Sequence, residues 1–359
     1  MDIFSYLEGM TTQLGPSGQE REVSAWLRER FAPLCDSVTT DALYNVIALK
    51  KATLPMPDGS PAPRVMLSAH QDEIALMVAD ILPDGTLRMG QVGGVDPRIL
   101  PASTVTVHGR DAMGQPVHLL GVVGATPPHL LASADRENNY KREDLFIDLG
   151  MQAEKVRAQV HIGDLVTLIG PATRLLNERA AAKTMDDRAC VGVLLEAAER
   201  LKRMSHLCDV YFVCSSQEEV GSKGAATAAY TIDPDLAVVL DVSHATIPAS
   251  RTDTTVPLDA PAATYGPFIQ HKLLERLKAT AKAHGIALNT ECAASQTHTD
   301  TDSIQIARAG VPSVLIDLPL KYMHTTVELL DMNAIRECGR LLAHFLGELD
   351  EGWDKELWS

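Results

Sequence analysis

The chain reads as an α/β protein, a mixed sheet sandwiched between helices, interrupted by a small β-rich domain. Three observations predict this. Two segments with helical spacing of apolar residues, 2–13 and 20–31, precede the first strand-like runs. From about residue 73 the texture becomes short β-like runs broken by Gly and Pro, with no long amphipathic helix among them. After Ala182 strands and helices resume in alternation, the pattern of a sheet with helices on both faces.

The elements follow in order. Gly15-Pro16-Ser17-Gly18 separates the first two helices, and Ser17 is placed to cap the second. Residues 38–48 and 64–69 read as strands, the second a short apolar run that stops at His70-Gln71-Asp72. The runs TLRMGQVGG, STVTVHG, VHLLGVVGATPP and VHIGDLVTLIG make up the β-rich region. Because elements of the first kind return after it, this region is inserted: 73–168 within a larger domain formed by 1–72 and 169–359. A helix over 189–204, strands at 209–214 and 236–242, a helix over 268–284, a strand at 312–316 and a final helix over 332–349 complete that domain.

With 359 residues the chain exceeds the usual size of one domain, so a large domain with a smaller insertion suits its length. Its residues are 45% apolar, yet no stretch approaches the ~20 apolar residues that cross a bilayer. The start, MDIFSYLEGMTTQLG, carries Asp and Glu and lacks the features of a signal peptide, so a cytoplasmic location is expected. Six cysteines are scattered without a CxxC pair, which suggests neither a disulfide framework nor a cysteine zinc site. A net charge of -15 argues against nucleic-acid and anionic-membrane partners, which demand a cationic surface.

Five polar clusters interrupt the apolar scaffold: His70-Gln71-Asp72, Asp186-Asp187-Arg188, Glu218-Glu219, Asp241 and His324. Four follow or end predicted strands or lie in adjoining loops, where open α/β sheets place their ligand sites. Two His and several carboxylates suit zinc, cobalt or manganese, and one shared Asp can bridge two ions. Asp72, two residues from His70, is placed to accept the second imidazole N–H and fix the ring. Adjacent side chains on extended backbone point apart, so of Glu218 and Glu219 one ligates and one stays free. Glu218 is the candidate for the free carboxylate, a general base that moves a proton from water to the leaving amine. Each cluster alone also has an ordinary reading, as a turn, a helix N-terminus, a solvated face or a strand end. His108, His118, His161, His206, His271 and His344 read as structural or surface residues, while His244 and His298 lie open to either reading.

In order along the chain stand GPSGQE, SAHQDEIALMV, GGVDPRIL, GVVGATPPHLL, IDLG, HIGDLV, MDDRACVGVLLE, SQEEVGSKGA, VVLDVSHA, GVPSVLID and YMHTTVELLD. In these motifs the chain resembles metallopeptidase family 42, the glutamyl aminopeptidase and tetrahedral (TET) aminopeptidase group, some members of which carry a cellulase M-like or endoglucanase label. The resemblance implies a dinuclear-metal aminopeptidase fold with an inserted β-barrel or PDZ-like domain. It implies two divalent metal ions, one held by His70, Asp186 and Asp241, the other by Asp186, Glu219 and His324, with Asp186 bridging. It further implies Glu218 as general base, Asp72 orienting His70, peptide substrates, and a cis Asp186-Asp187 peptide. The insertion would serve assembly, from dimers to tetrahedral dodecamers. Gln71 and Ala75 depart from the family's HMDEIG, and THTDTDSIQ departs from its GTDA segment, which directs attention to His298 and Asp300 as residues that alter the substrate pocket. Competing readings are a carboxypeptidase or deacylase on the same scaffold and a catalytically silent metal-binding assembly protein. A glycosidase would need a carboxylate pair free of the metal cluster.

Overall fold

The computed structural model describes residues 1–131, 138–248, 250–251, 254–354 and 357. It divides into two compact units: Met1–Asp72 with Pro171–Met323 and Val327–Ser359, and Glu73–Gly170 with His324–Thr326.

The first unit opens with α1 (Ile3–Thr11) and α2 (Arg21–Phe31), then β1 (Ser37–Thr40), β2 (Val46–Lys50) and β3 (Arg64–His70). The second unit supplies β4 (Ala75–Ile81), β5 (Leu87–Val92), β6 (Thr104–Arg110), β7 (Pro116–Ala125), β8 (Leu145–Asp148), α3 (Ala153–Arg157) and β9 (Leu165–Leu168). The chain returns to the first with β10 (Thr173–Arg174), β11 (Arg179–Ala182), α4 (Met185–Leu201), β12 (Asp209–Ser215), α5 (Lys223–Ile232) and β13 (Leu236–His244). It closes with β14 (Ala262–Tyr265), α6 (His271–Ala283), β15 (Asn289–Cys292), α7 (Thr301–Ile304), β16 (Ser313–Leu320), β17 (Glu328–Asp331) and α8 (Met332–Gly347).

Local chemistry explains the opening elements. Asp2 caps α1 by accepting the N–H groups of Phe4 and Ser5, and Ile3, Tyr6, Leu7 and Met10 form its buried stripe. In α2 the buried apolar positions are Val23, Leu27 and Phe31, with charged residues between them. Ser17 does not cap this helix. Its hydroxyl is three residues too early and donates instead to Asp72 at 2.6 Å. The expected strand over 38–48 is also two strands, because Asp41 accepts the N–H groups of Leu43 and Asn45 and turns the chain into a hairpin.

In the first unit an eight-stranded mixed sheet runs β1-β2-β12-β3-β13-β16-β14-β15. Its centre, β12, β3, β13 and β16, is parallel, while the β1/β2, β2/β12 and β16/β14 pairs are antiparallel. In β16 every residue is buried, and in β13 all but the last. Such near-continuous apolar runs are what a parallel sheet covered on both faces requires. Helix α4 lies on β3 and packs against α8 so closely that a Cβ added to Gly339 would come within 2.7 Å of Glu196 Cβ. A small three-stranded sheet, β10-β11-β17, stands apart from the main one.

Fully buried Arg188 on α4 fastens the N-terminal segment to the end of β3. Its guanidinium donates to the carbonyls of Gln71 at 2.8 Å, Met10 at 3.0 Å and Gln13 at 2.9 Å. Arg188→Met keeps the volume but orphans these carbonyls, and a loss of at least about 2–3 kcal/mol in denaturant unfolding is the expected result. An unchanged midpoint would mean that the fastening adds no stability.

The second unit is a closed six-stranded barrel in the order β4-β5-β8-β7-β6-β9. Leu76, Val78, Leu87, Val105, Val107, Ile147 and Val166 fill its interior, each contributed by the alternation of inward and outward residues along a strand. On the outward side of β7, Leu120 is 67% and Val122 49% exposed.

Candidate active site

The candidate residues of the first unit gather at the C-terminal ends of its parallel strands, the position at which α/β sheets bind ligands. His70 is the last residue of β3, Glu218 and Glu219 follow the end of β12 at Ser215, and Asp241 lies in β13. Asp186 and Asp187 sit at the start of α4 with non-helical backbone, joined by a cis peptide as the family resemblance implies.

His70 and Asp72 are buried at 2% and 0% exposure. His70 Nδ1 faces Asp72 Oδ1 at 3.5 Å, and Nε2 faces Asp186 Oδ1 at 3.1 Å. Asp72 thus turns the ring so that Nε2 points at the acidic cluster. The same carboxylate accepts the backbone N–H of Glu218 at 3.0 Å and of Glu219 at 3.3 Å, besides the Ser17 hydroxyl. One buried Asp therefore sets both the imidazole and the loop that bears the paired glutamates.

Among the described residues, two sets of three donors converge. One ligand atom from each of His70, Asp186 and Glu219 lies within 4.8 Å of the others, and the same holds for His70, Asp187 and Asp241. Asp187 joins Asp241 here, where the resemblance implies Asp186; its Oδ2 also accepts the backbone N–H of His70 at 3.1 Å. His324 groups with the second unit, where its Nδ1 lies 2.8 Å from the carbonyl oxygen of Gly94.

The electrostatics are those of crowded, desolvated acids. Burial, reinforced by neighbouring carboxylates, pushes Asp187 and Asp241 well above the usual carboxyl range. Burial likewise pushes Glu218 up to about 8; His70 opposes the shift while Asp300 and Glu219 add to it. Burial works against charging His70, but Asp186 and Asp72 outweigh it and raise the imidazole well above its ordinary value. A divalent cation facing His70 Nε2 would relieve the same acids. Asp187 Oδ1 is buried without a hydrogen-bond partner. Imidazole nitrogen and carboxylate oxygens at this spacing fit such an ion, and burying that much negative charge without one is costly.

Several residues serve the site that sequence reasoning missed. Glu20 is fully buried and accepts the N–H of Gly18 at 2.7 Å and of Gln217 at 3.1 Å, bracing the glutamate loop. Glu328 of β17 accepts the backbone N–H of Asp186 at 3.2 Å. A buried Glu in GPSGQE was the available signal for the first; nothing local marks the second. Asp300, expected to alter the substrate pocket, is a buried side chain behind the end of β12. It is 1% exposed and accepts the Ser215 hydroxyl at 2.5 Å, at the end of the strand that leads to Glu218. His298 is exposed, and so is His244 at the end of β13.

Comparison with known proteins identifies the family. The family model for M42 glutamyl aminopeptidase matches residues 52–341. The lysyl aminopeptidase of Pyrococcus furiosus is 34% identical over 88% of each chain. The TET aminopeptidase of a marine sediment Thaumarchaeota archaeon superposes with a TM-score of 0.90 at 30% identity, over 99% of this chain and 98% of that one. The TET1 peptidase of Pyrococcus horikoshii, which can assemble into a tetrahedron or a large octahedral shell, gives 0.81 at 26% identity, over 97% and 100%. A match across most of the chain, on a scaffold that presents its carboxylates and imidazole at the sheet's C-terminal edge, places this protein in the M42 glutamyl aminopeptidase family as a metal-dependent aminopeptidase.

Proposed function

We propose that the chain removes N-terminal residues from peptides with two divalent metal ions and Glu218 as general base. Among the described residues, the observation that carries this is the division of labour between neighbouring glutamates. Glu219 contributes a ligand atom to the group with His70 and Asp186, whereas Glu218 belongs to neither ligand group yet is tied to the same Asp72. A structural metal site has ligands but no need of a spare, raised carboxylate.

As the family resemblance implies, the residues that would hold the ions are His70, Asp186, Glu219, Asp241 and His324, with Asp186 serving both. When bound, the ions polarise the scissile carbonyl and make water a nucleophile at neutral pH. Zinc or cobalt suits this nitrogen and oxygen set, and manganese is compatible with it. Glu218 takes the proton of the attacking water and delivers it to the leaving amine. Asp72 keeps His70 Nε2 turned inward throughout.

The unit formed around 73–168 serves assembly into a homo-oligomer, a dimer up to a tetrahedral dodecamer. The outward apolar pair Leu120 and Val122 on β7 supports this, since such side chains are more often covered by a partner than left wet. All six cysteines are free, which suits the reducing cytoplasm, and no described helix is long and apolar enough to cross a membrane.

A panel of aminoacyl-p-nitroanilides, assayed with zinc, cobalt or manganese after chelation, tests the reading. Turnover that appears with the second metal equivalent, and that N-acetylation of the substrate abolishes, is expected. Preference for N-acylated or C-terminal substrates would transfer the site to a deacylase or carboxypeptidase, and silence with every metal would leave a binding protein.

A further inference from the structure

The loop carrying Glu218 ends in an uncommon conformation. Ser222, which precedes α5, has φ 51° and ψ 35°, in the left-handed region that costs a non-glycine residue roughly 1 kcal/mol or more. Its side chain does not cap α5, the ordinary task of a serine in that place. The N–H groups of Gly221 and Ser222 instead close back onto the Glu218 carbonyl at 2.8 and 3.0 Å. This tight turn carries the Ser222 hydroxyl beneath the Glu218 side chain, where it donates to Oε1 at 3.2 Å.

The surroundings fix that hydroxyl. Ser222 is 8% exposed, so bulk water does not compete freely for it. Its other side meets Asp300, a buried carboxylate that is anchored through Oδ2 to the Ser215 hydroxyl and is itself a hydrogen-bond neighbour of Ser222. A strained backbone persists where the surrounding structure gains something from it. Here the strain delivers one donor to one oxygen of Glu218 and forgoes a helix cap.

We propose that Ser222, buttressed by Asp300, is a positioning residue for Glu218. It acts on the carboxylate and not on the substrate: by pinning Oε1 it leaves Oε2 directed at the attacking water and removes rotamers that waste the base. The inference rests on reading Glu218 as the base, and its test separates the two.

Ser222→Gly in the metal-loaded chain deletes the hydroxyl while relieving the left-handed backbone, so the variant folds at least as stably as wild type. Its melting temperature and metal content should be unchanged or higher. Its kcat should fall about tenfold with KM unchanged, the size expected of one hydrogen bond to a charged group. Ser222→Asn, which tolerates this backbone and restores an N–H donor, should recover part of the loss. In a Glu218→Gln background the same change should cost nothing further. Wild-type kcat in Ser222→Gly, an equal loss in both backgrounds, or loss of metal would overturn the positioning role. A fully active Glu218→Gln would instead dismiss the base, and this role with it.

Discussion

Glu218→Gln should lower kcat by about 10² to 10⁴ while the chain folds normally and carries its full complement of metal. Glutamine matches glutamate in shape and can still accept the Ser222 hydroxyl, so the loop has no reason to move. What it cannot do is take a proton. Burial and the carboxylates of Asp300 and Glu219 push Glu218 up to about 8 against the pull of His70. Cations in the ligand groups would draw it down towards neutrality. A base must be unprotonated to act, so wild-type kcat/KM should rise with pH through that value and then level off. The glutamine variant should lose this ascending limb together with the rate. Glu218→Gln with full metal and wild-type turnover would sink the assignment, whereas loss of metal would make Glu218 a ligand.

The parts of this picture that were legible in the sequence are those written locally. β3, β12, β13 and β16 announce themselves as apolar runs because both sheet faces are covered, and His70, Glu218, Glu219 and Asp241 show as polar interruptions at or near their ends. Elements that escaped are those whose reason is distant or whose length is too small for periodicity. β10 has two residues and β11 and β17 four each, and β11 finds β17 across more than a hundred residues of chain. The hairpin at Asp41 was hidden because β1 and β2 share one continuous β-like texture. Ser17 looked like a helix cap because capping is the local use of a serine there; its true partner, Asp72, is 55 residues away. Glu328 reaches Asp186 across 142 residues. Residues that hold a site together from far along the chain are chosen by the fold and leave no local mark, whereas Asp72, two residues from His70, does.

Asp186→Asn should abolish turnover by emptying the site, an outcome distinct from that of Glu218→Gln. Asparagine preserves the size of the side chain and the backbone N–H to Glu328, so the metal-free variant should melt within about 1–2 kcal/mol of wild type. It removes the negative oxygen that faces His70 Nε2 at 3.1 Å and that a shared ligand requires. Metal affinity should therefore drop by more than the roughly 10- to 100-fold typical of a change in an orienting neighbour. Wild-type protein should gain about 2.7 kcal/mol of stability at a metal concentration 100 times its dissociation constant, read as an upward shift in Tm. Asp186→Asn should show little or no shift at that concentration. The comparison with Asp187→Asn decides between neighbours joined by the cis peptide. Asp187 offers an oxygen beside His70 and Asp241 but also holds the His70 N–H, so its variant should weaken metal less if Asp186 is the bridge. If Asp186→Asn still takes up two equivalents and Asp187→Asn does not, the shared carboxylate is Asp187.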